Sequence, residues 1–362
     1  MGRGLLAVGV MAAAMTAGGA DYRATTVAEG LEHPWGLAFL PDGDMLVTEH
    51  PGRLRHVASD GTVGEPLAGV PQVYYRGQGG LLDVVLHPEF ISNRLVYLSY
   101  SHGDASGNAT RVARGTLGDQ GLDGLEVIFT AEPTKDTPQH YGGTMTFLGD
   151  GTLLLTTGDG FDYREQAQDL GSMLGKTLRL TADGGIPQDN PFVGRHGAAP
   201  AVWTYGHRNA QGLAVDSATG RVYLHEHGPR GGDELNLLLP GRNYGWPATT
   251  HGKDYSGAYV TPFTELPGME QPLMHWTPSI APSGLAIYRA AAFPEWRGDL
   301  FLGALVDREL RRVDLEDGVV TGEEALLSDL GERVRHVEVG PDGHLYLLTD
   351  STEGRILRVE RR

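Results

Sequence analysis

His140 lies in Thr137-Pro138-Gln139-His140-Tyr141-Gly142-Gly143, a turn-rich segment that leads into an apolar run. An imidazole on such a loop titrates near neutrality and suits general-base work. Asp159, in Thr157-Gly158-Asp159-Gly160, ends the following run and can reach back to orient that imidazole. Taken singly, each also fits plain exposure or turn chemistry. The densest constellation runs from Tyr205-Gly206-His207-Arg208-Asn209 to Tyr223-Leu224-His225-Glu226-His227-Gly228-Pro229-Arg230-Gly231-Gly232-Asp233-Glu234. His-x-His spacing at a strand end puts His225 and His227 on one face, a pattern that suits a metal. The carbonyls of the Gly228-Pro229 turn and the nearby carboxylates are hard oxygen donors, which favour calcium over zinc. Arg208 and Asn209 beside such an ion suit a polyanionic ligand, because arginine binds carboxylates bidentately. Arg333 and Arg335, two apart in an extended segment, point the same way and form a second candidate anion clamp. The bland reading of these charges is a solvated loop and a solvated stripe.

The elements that must position these groups are short. Gly36–Leu40, the turn Pro41-Asp42-Gly43, and Met45–Glu49 read as strand, turn, strand. The cadence returns at Val84–Phe90 with Leu95–Tyr100, at Thr144–Leu148 with Leu153–Thr157, and at Gly212–Val215. It returns again at Gly284–Tyr288, and at His336–Val339 before Pro341-Asp342-Gly343 and Leu345–Leu348. Six copies of one hairpin predict an all-β fold, a six-bladed β-propeller. A large sandwich or a pair of barrels explains the strands but not the recurrence. No convincing amphipathic helix is present, which argues against a nucleotide-binding α/β fold. Where the repeat runs long, the extra residues belong to loops on one face. The long intervals are Pro133–Gly143, Gly158–Gly175 and Gly228–Pro282, and they hold most of the residues named above.

Composition agrees. Of 362 residues 40% are hydrophobic, enough for a large core, and 53 Gly with 21 Pro supply the many tight turns. The net charge of −17 repels nucleic acid and anionic membranes and favours neutral or cationic ligands. With no cysteine, disulfides, zinc–thiolate sites and cysteine nucleophiles are excluded. Arg3, the apolar run Leu5–Met15 and Ala17-Gly18-Gly19-Ala20 read as an export signal, too short to span a bilayer. The expected mature chain is one catalytic propeller over 21–362, periplasmic or secreted, with no membrane insertion.

Ordered blocks along nearly the whole mature chain resemble the soluble PQQ-dependent sugar dehydrogenases, especially their aldose sugar dehydrogenase branch. They are His33-Pro34-Trp35-Gly36-Leu37, Gly77-Gln78-Gly79-Gly80-Leu81-Leu82, Leu174-Gly175-Lys176 and Gly206-His207-Arg208-Asn209. They continue through His225-Glu226-His227-Gly228-Pro229, Asn243-Tyr244-Gly245-Trp246-Pro247 and Ala281-Pro282-Ser283-Gly284. The resemblance implies a propeller that oxidises aldoses at the anomeric carbon, with pyrroloquinoline quinone (PQQ) and calcium on its top face. His140 would be the base, Asp159 the acid that holds it, and Gln78 and Arg208 neighbours of the reacting oxygens. Asn209, His227, Arg333 and Arg335 would contact PQQ, and Trp276 would line the cleft. The carbonyls of Gly228 and Pro229 would ligate the calcium, and Glu234 with Tyr244 would form a second calcium site. His227, where the glucose-specialised branch has Gln, points to the aldose branch. The short segment from Gly252 to Thr261 points to a monomer, and electrons would pass to an external acceptor. One departure stands out: Val306 occupies the place of a basic PQQ contact, with Asp307, Arg308 or the Arg311-Arg312 pair as candidate substitutes. The competing functions are a calcium-dependent lactonase or other hydrolase, and a non-catalytic binding propeller.

Overall fold

A computed structural model describes residues 21–362. The export signal expected at Arg3 and Leu5–Met15 lies outside those residues. Twenty-four strands form six four-stranded antiparallel sheets, each a meander in chain order except the last. That sheet joins Val334–Val339, Leu345–Thr349 and Gly354–Arg361 to the N-terminal strand Tyr22–Leu31, which pairs antiparallel with Gly354–Arg361. The ring is thereby closed by the two ends of the described chain, and the architecture is the expected six-bladed β-propeller.

The innermost strands are Pro34–Phe39, Leu81–Leu86, Met145–Phe147, Ala210–Val215, Pro282–Ile287 and Val334–Val339. Each lies at or beside an expected hairpin. Boundaries shift by one to four residues; the second of these strands ends at Leu86, short of the expected Phe90, and Phe90–Asn93 forms a single helical turn rather than continuing the strand. His87-Pro88 explains the break, since the proline removes a ladder donor.

Twisted sheets bury both faces against their neighbours, and the core is therefore divided into layers between blades. Leu40, Leu46 and Leu54 pack on Leu81, Val96, Leu98 and Tyr100, joining the first two blades. Equivalent layers join every other adjacent pair, including Leu31, Val47, Leu348 and Ile356 across the closure. A small cluster of Trp35, Leu82 and Tyr141 sits apart from these layers and forms the wall of the central mouth.

The positions of the chemically capable residues follow from the meander. In an antiparallel sheet, the entry to the first strand and the exit of the second lie at the same edge. His33, Gln78, His140, Arg208, Asn209, Ala281 and Arg333 precede or open innermost strands, whereas His50, Asp159, His227 and Asp350 follow second strands. All of them therefore gather on one face of the ring.

Candidate active site

His140 is 4% exposed and its Nδ1 donates to Asp159 Oδ1 at 2.7 Å. The Asp159 carboxylate also accepts from Phe161 N at 2.8 Å and, through Oδ2, from Trp246 Nε1 at 2.7 Å. The Gln78 side-chain Oε1 accepts from His140 N at 2.8 Å. Ring and backbone are thus fixed, and Nε2 is left without a protein partner. Burial holds the imidazole below its usual pKa, with Arg208 and Lys135 adding to the effect and the Asp159 bond opposing it. The neutral ring with a free Nε2 lone pair is the form a general base requires.

The local backbone is built for this placement. His140 has φ of 50°, in the left-handed region. Gly158 lies so close that a Cβ there would stand 2.3 Å from the His140 carbonyl oxygen, so only glycine lets the two loops meet.

Beside the base lies a cavity of about 440 Å³, lined by Gln78, Asn209, His227, Arg333, Arg335 and Asp350 among others. Arg333 Nη2 and Arg335 Nη2 both donate to Asp350 Oδ2, at 3.1 and 3.0 Å, and His33 Nδ1 meets Oδ1 at 2.9 Å. The two arginines do face one way, and they share one carboxylate. Burial alone would raise the Asp350 pKa, but Arg335, His33 and Arg333 hold it well below the carboxylate range. Two guanidiniums against one carboxylate leave the wall with one net positive charge. His50, also on this wall, has a buried Nε2 with no partner.

Asp350 was not read from the sequence, although Thr349-Asp350 occupies the same strand exit as Glu49-His50 and Glu226-His227. That equivalence was the available signal. Trp246, in Asn243-Tyr244-Gly245-Trp246-Pro247, had no expected role, yet it bonds Asp159 and holds its ring 5.4 Å from the Arg208 guanidinium.

Other expectations need correction. Trp276 does not line the cleft: it is 5% exposed, packs with Leu235, Ile280 and Leu302, and donates through Nε1 to Glu323. Strand pleating in Met274–Trp276 turns its side chain into the layer between blades. His225 and His227 share a face, but their Nε2 groups donate to Gly284 O and Pro282 O, both at 2.8 Å, stapling one blade to the next. They are not arranged as a metal pair, and among the described residues no cluster of three His, Asp or Glu side chains is placed to hold a metal. The Tyr244 hydroxyl is spent, donating to Leu237 O and accepting from Leu239 N. Glu234 faces Glu226 across the ladder, and burial together with that neighbour pushes its carboxyl up to about 8. Val306 is 56% exposed and does not line the cavity. Arg311 and Arg312 are bound by Glu309, Glu323, Asp299 and Glu324, and Arg308 by the Gly331 carbonyl, so none replaces the missing basic contact. Arg333 instead donates to Leu305 O at 3.1 Å and brings a guanidinium to that edge.

The carbonyls of His227 and Gly228 already face a cation, accepting from Arg208 Nη1 at 3.1 and 2.6 Å. Asp233 holds this loop from behind, accepting from Gly228 N at 2.9 Å.

The buried groups fix how stability varies with pH. Burial pulls His225 and His227 down to about 3 and His50 to about 4, from an ordinary 6.5. Their contribution is complete above pH 6.5 and is lost as pH falls toward 4, because the unfolded chain binds the extra protons. Glu234 at about 8 and Asp83 at about 6 act oppositely, losing stability as pH rises through 4.5 to 8 and 3.8 to 6. Three histidines outweigh two carboxylates on the acid side. Below pH 6.5 the unfolding free energy of the apoprotein, and with it the denaturant midpoint, should fall toward pH 4.5, the free energy by about 1.4 kcal/mol per unit. A midpoint unchanged between pH 6.5 and 4.5 would remove this account.

Fold and cavity together place the protein among propellers that do chemistry at the mouth of the ring. The sequence pattern of the glucose/sorbosone dehydrogenase family matches residues 31–358. The chain is 42% identical over 358 residues to the aldose sugar dehydrogenase YliI of Escherichia coli (strain K12), covering 97% of this chain and 96% of that one. A crystal structure of the soluble aldose sugar dehydrogenase from Escherichia coli in its apo-form superposes with a TM-score of 0.91, at 42% identity, over 94% of this chain and 100% of that one. The PQQ-bound form of the aldose sugar dehydrogenase from Streptomyces coelicolor gives a TM-score of 0.78 at 31% identity, over 95% of this chain and 99% of that one. This chain belongs to the glucose/sorbosone dehydrogenase family, and it is an oxidoreductase.

Proposed function

We propose that the protein oxidises aldoses at the anomeric carbon to lactones, using PQQ and calcium and passing electrons to an external acceptor. The observation that carries this reading is the neutral His140, pinned through Nδ1 to Asp159 with Nε2 free, beside an arginine-lined cavity.

The cavity fits PQQ. A volume of about 440 Å³ is in the range of small-molecule cofactor sites, and a flat tricarboxylate matches a wall with surplus guanidinium charge. Arg333, Arg335 and Asn209 would hold its carboxylates, and the orphaned Nε2 of His50 gains a partner there. The carbonyls of Gly228 and Pro229 suit calcium, since the loop already turns carbonyl oxygens toward positive charge. Glu234, bonded among the described residues only by the Asn236 amide at 3.3 Å and facing Glu226, is a reason for a second cation there, with Tyr244 able to contribute only its carbonyl. When bound, PQQ with its calcium supplies the electrophile that accepts the hydride equivalent.

The chain's own groups do the rest. His140 Nε2 takes the proton of the anomeric hydroxyl. Asp159 holds the ring in the correct tautomer and stabilises the imidazolium as it forms. Trp246 Nε1 and Phe161 N keep that carboxylate in place, so no reorganisation is needed at the moment of proton transfer. Arg208, held by the carbonyls of His227 and Gly228, presents positive charge where oxygen becomes negative.

The N-terminal pattern of the sequence supports export and a periplasmic location for the same reading; N-terminal sequencing of protein recovered from the periplasm would find Asp21 at or near the start. Adding PQQ and calcium ions to purified apoprotein should switch on dye reduction with glucose or another aldose. Lactone hydrolysis without PQQ would favour the hydrolase reading instead, although a neutral lactone gives no reason for Arg208, Arg333 and Arg335. Absence of aldose oxidation together with no PQQ-induced absorbance change would overturn the proposal.

A further inference from the structure

Lys135 is a buried cation close to the base that the chemistry above does not use. It is 3% exposed. Its Nζ donates to Asn108 Oδ1 at 3.0 Å and to Thr137 O at 2.6 Å, and stands 3.5 Å from the centre of the Tyr141 ring. Both acceptors are neutral oxygens, and among the described residues no carboxylate bonds the ammonium. The aromatic face covers its remaining side. A buried charge without a bonded counter-ion costs folding energy, so packing alone gives no reason for it.

Its contacts set the ammonium between the two loops that build the base. On one side, Lys135 N donates to Asn108 O at 2.9 Å and Asn108 N returns a bond to Lys135 O at 2.8 Å. The chain then curls over its own ammonium through Thr137 and Tyr141, the stretch that carries His140. The Tyr141 hydroxyl donates at 2.7 Å to Asn108 Oδ1, the oxygen that also accepts from Nζ. On the other side, a Cβ on Gly160 would stand 2.7 Å from Lys135 Cδ, so the backbone after Asp159 lies directly on the lysine stem. Thr137 Oγ1 joins the two loops by donating to Gly160 O at 2.5 Å.

Charge adds to this geometry. Burial pushes the Lys135 ammonium down to about 7, and Asp159, followed by Asp136, opposes that fall. The attraction is mutual, so the ammonium favours the carboxylate form of the fully buried Asp159. On His140, burial acts first, and Arg208 and Lys135 add to it against Asp159. The titratable groups facing Lys135 are therefore Asp159 from the neighbouring loop and Asp136, His140 and Tyr141 from its own.

We propose that Lys135 is a positioning residue for the His140–Asp159 pair: it ties their two loops together and keeps Asp159 a carboxylate, so that the imidazole proton stays on Nδ1. It does not line the cavity of about 440 Å³, and it acts through Asp159. The inference rests on the reading of His140 as the base.

The test reads the tautomer of His140 by nitrogen NMR in apoprotein carrying isotopically labelled histidine, with His140→Asn to assign the signal. Just below pH 7 the wild type should show Nδ1 protonated and Nε2 bare. Lys135→Met keeps the bulk of the stem without the charge. It should populate both tautomers and, in the PQQ- and calcium-loaded enzyme, lower kcat roughly tenfold with KM for glucose unchanged. Lys135→Arg retains a cation and should restore the single tautomer. A second measurement uses the wild type and stands even where these variants fail to fold. Lys135, Lys176 and Lys253 are the only lysines in the chain, so labelled lysine resolves each, and the ring current of Tyr141 marks Lys135. As pH rises through about 7, the Lys135 signal should titrate and the His140 ring signal should move with the same midpoint. A Lys135→Met variant that keeps the single Nδ1 tautomer would overturn the proposal, whatever its thermal stability. So would a His140 signal that stays fixed while Lys135 titrates. A wild type that oxidises no aldose overturns the proposed function instead, since tautomer and titration are both read in apoprotein.

Discussion

His140→Ala should lower aldose turnover by about 10²–10⁴-fold while leaving PQQ binding intact. The two effects separate because the residues that would hold the cofactor, Arg333, Arg335 and Asn209, make no hydrogen bond to the imidazole. Only the proton acceptor is lost. His140→Asn is the sharper variant, since an amide fills the space and bonds Asp159 but has no basic lone pair. Asp159→Asn should fall between wild type and the histidine variants: the amide keeps an oxygen for Phe161 N but no longer stabilises an imidazolium. The measurement is steady-state dye reduction beside a PQQ titration followed by absorbance. Undiminished turnover in His140→Ala would remove His140 from its role, and loss of PQQ affinity in parallel with turnover would make it a cofactor contact instead.

The second large effect is on stability. Asp233→Ala should destabilise the apoprotein by about 3–5 kcal/mol, near the upper end for a single substitution. Asp233 is fully buried, and four donors converge on it. Oδ1 accepts from Gly228 N at 2.9 Å. Oδ2 accepts from Ser279 Oγ, Ile280 N and Ala281 N, at 2.6, 3.0 and 2.9 Å. Removing the carboxylate strands the N–H groups of Gly228 and Ile280 away from water, each at about 1–3 kcal/mol, and leaves Ala281 N only the longer bond to Ser279 Oγ at 3.2 Å. It also frees two loops at once, the one carrying Gly228 and Pro229 and the one carrying Ala281, whose φ of 51° needs outside support. Asp233→Asn retains one oxygen and should cost less. Guanidinium titration reads the difference, and a loss below about 1 kcal/mol would show that the loops hold themselves.

These two residues also differ in how legible they were. His140 stood out because an imidazole in a turn-rich segment has few structural uses, and Asp159 because it ended the next strand. Asp233 was visible only as one acid in a charged stretch. Three of its four donors, Ser279 Oγ, Ile280 N and Ala281 N, come from 46 to 48 residues further along the chain, and no local pattern specifies them. The same holds for Asp350, which joins Arg333 and Arg335 to His33 across the ring closure. Trp276 and Trp246 show the converse failure. The expected cleft tryptophan was Trp276, and only the pleat of Met274–Trp276 sends it into the layer between blades, while Trp246 reaches Asp159.

The sequence by itself determined the fold class, because six hairpins of period-two apolar runs with Asp-Gly turns are local features, each set by a few neighbouring residues. It also determined which loops would carry the chemistry, since extra length in a meander can only go to its edges. The tertiary structure alone decided partners: which oxygen orients His140, which carboxylate the arginine pair shares, and that His225 and His227 staple blades rather than bind metal. The first two join loops at the mouth of a single blade and the third joins neighbouring blades; all of them depend on directions of side chains that strand register sets to within one residue.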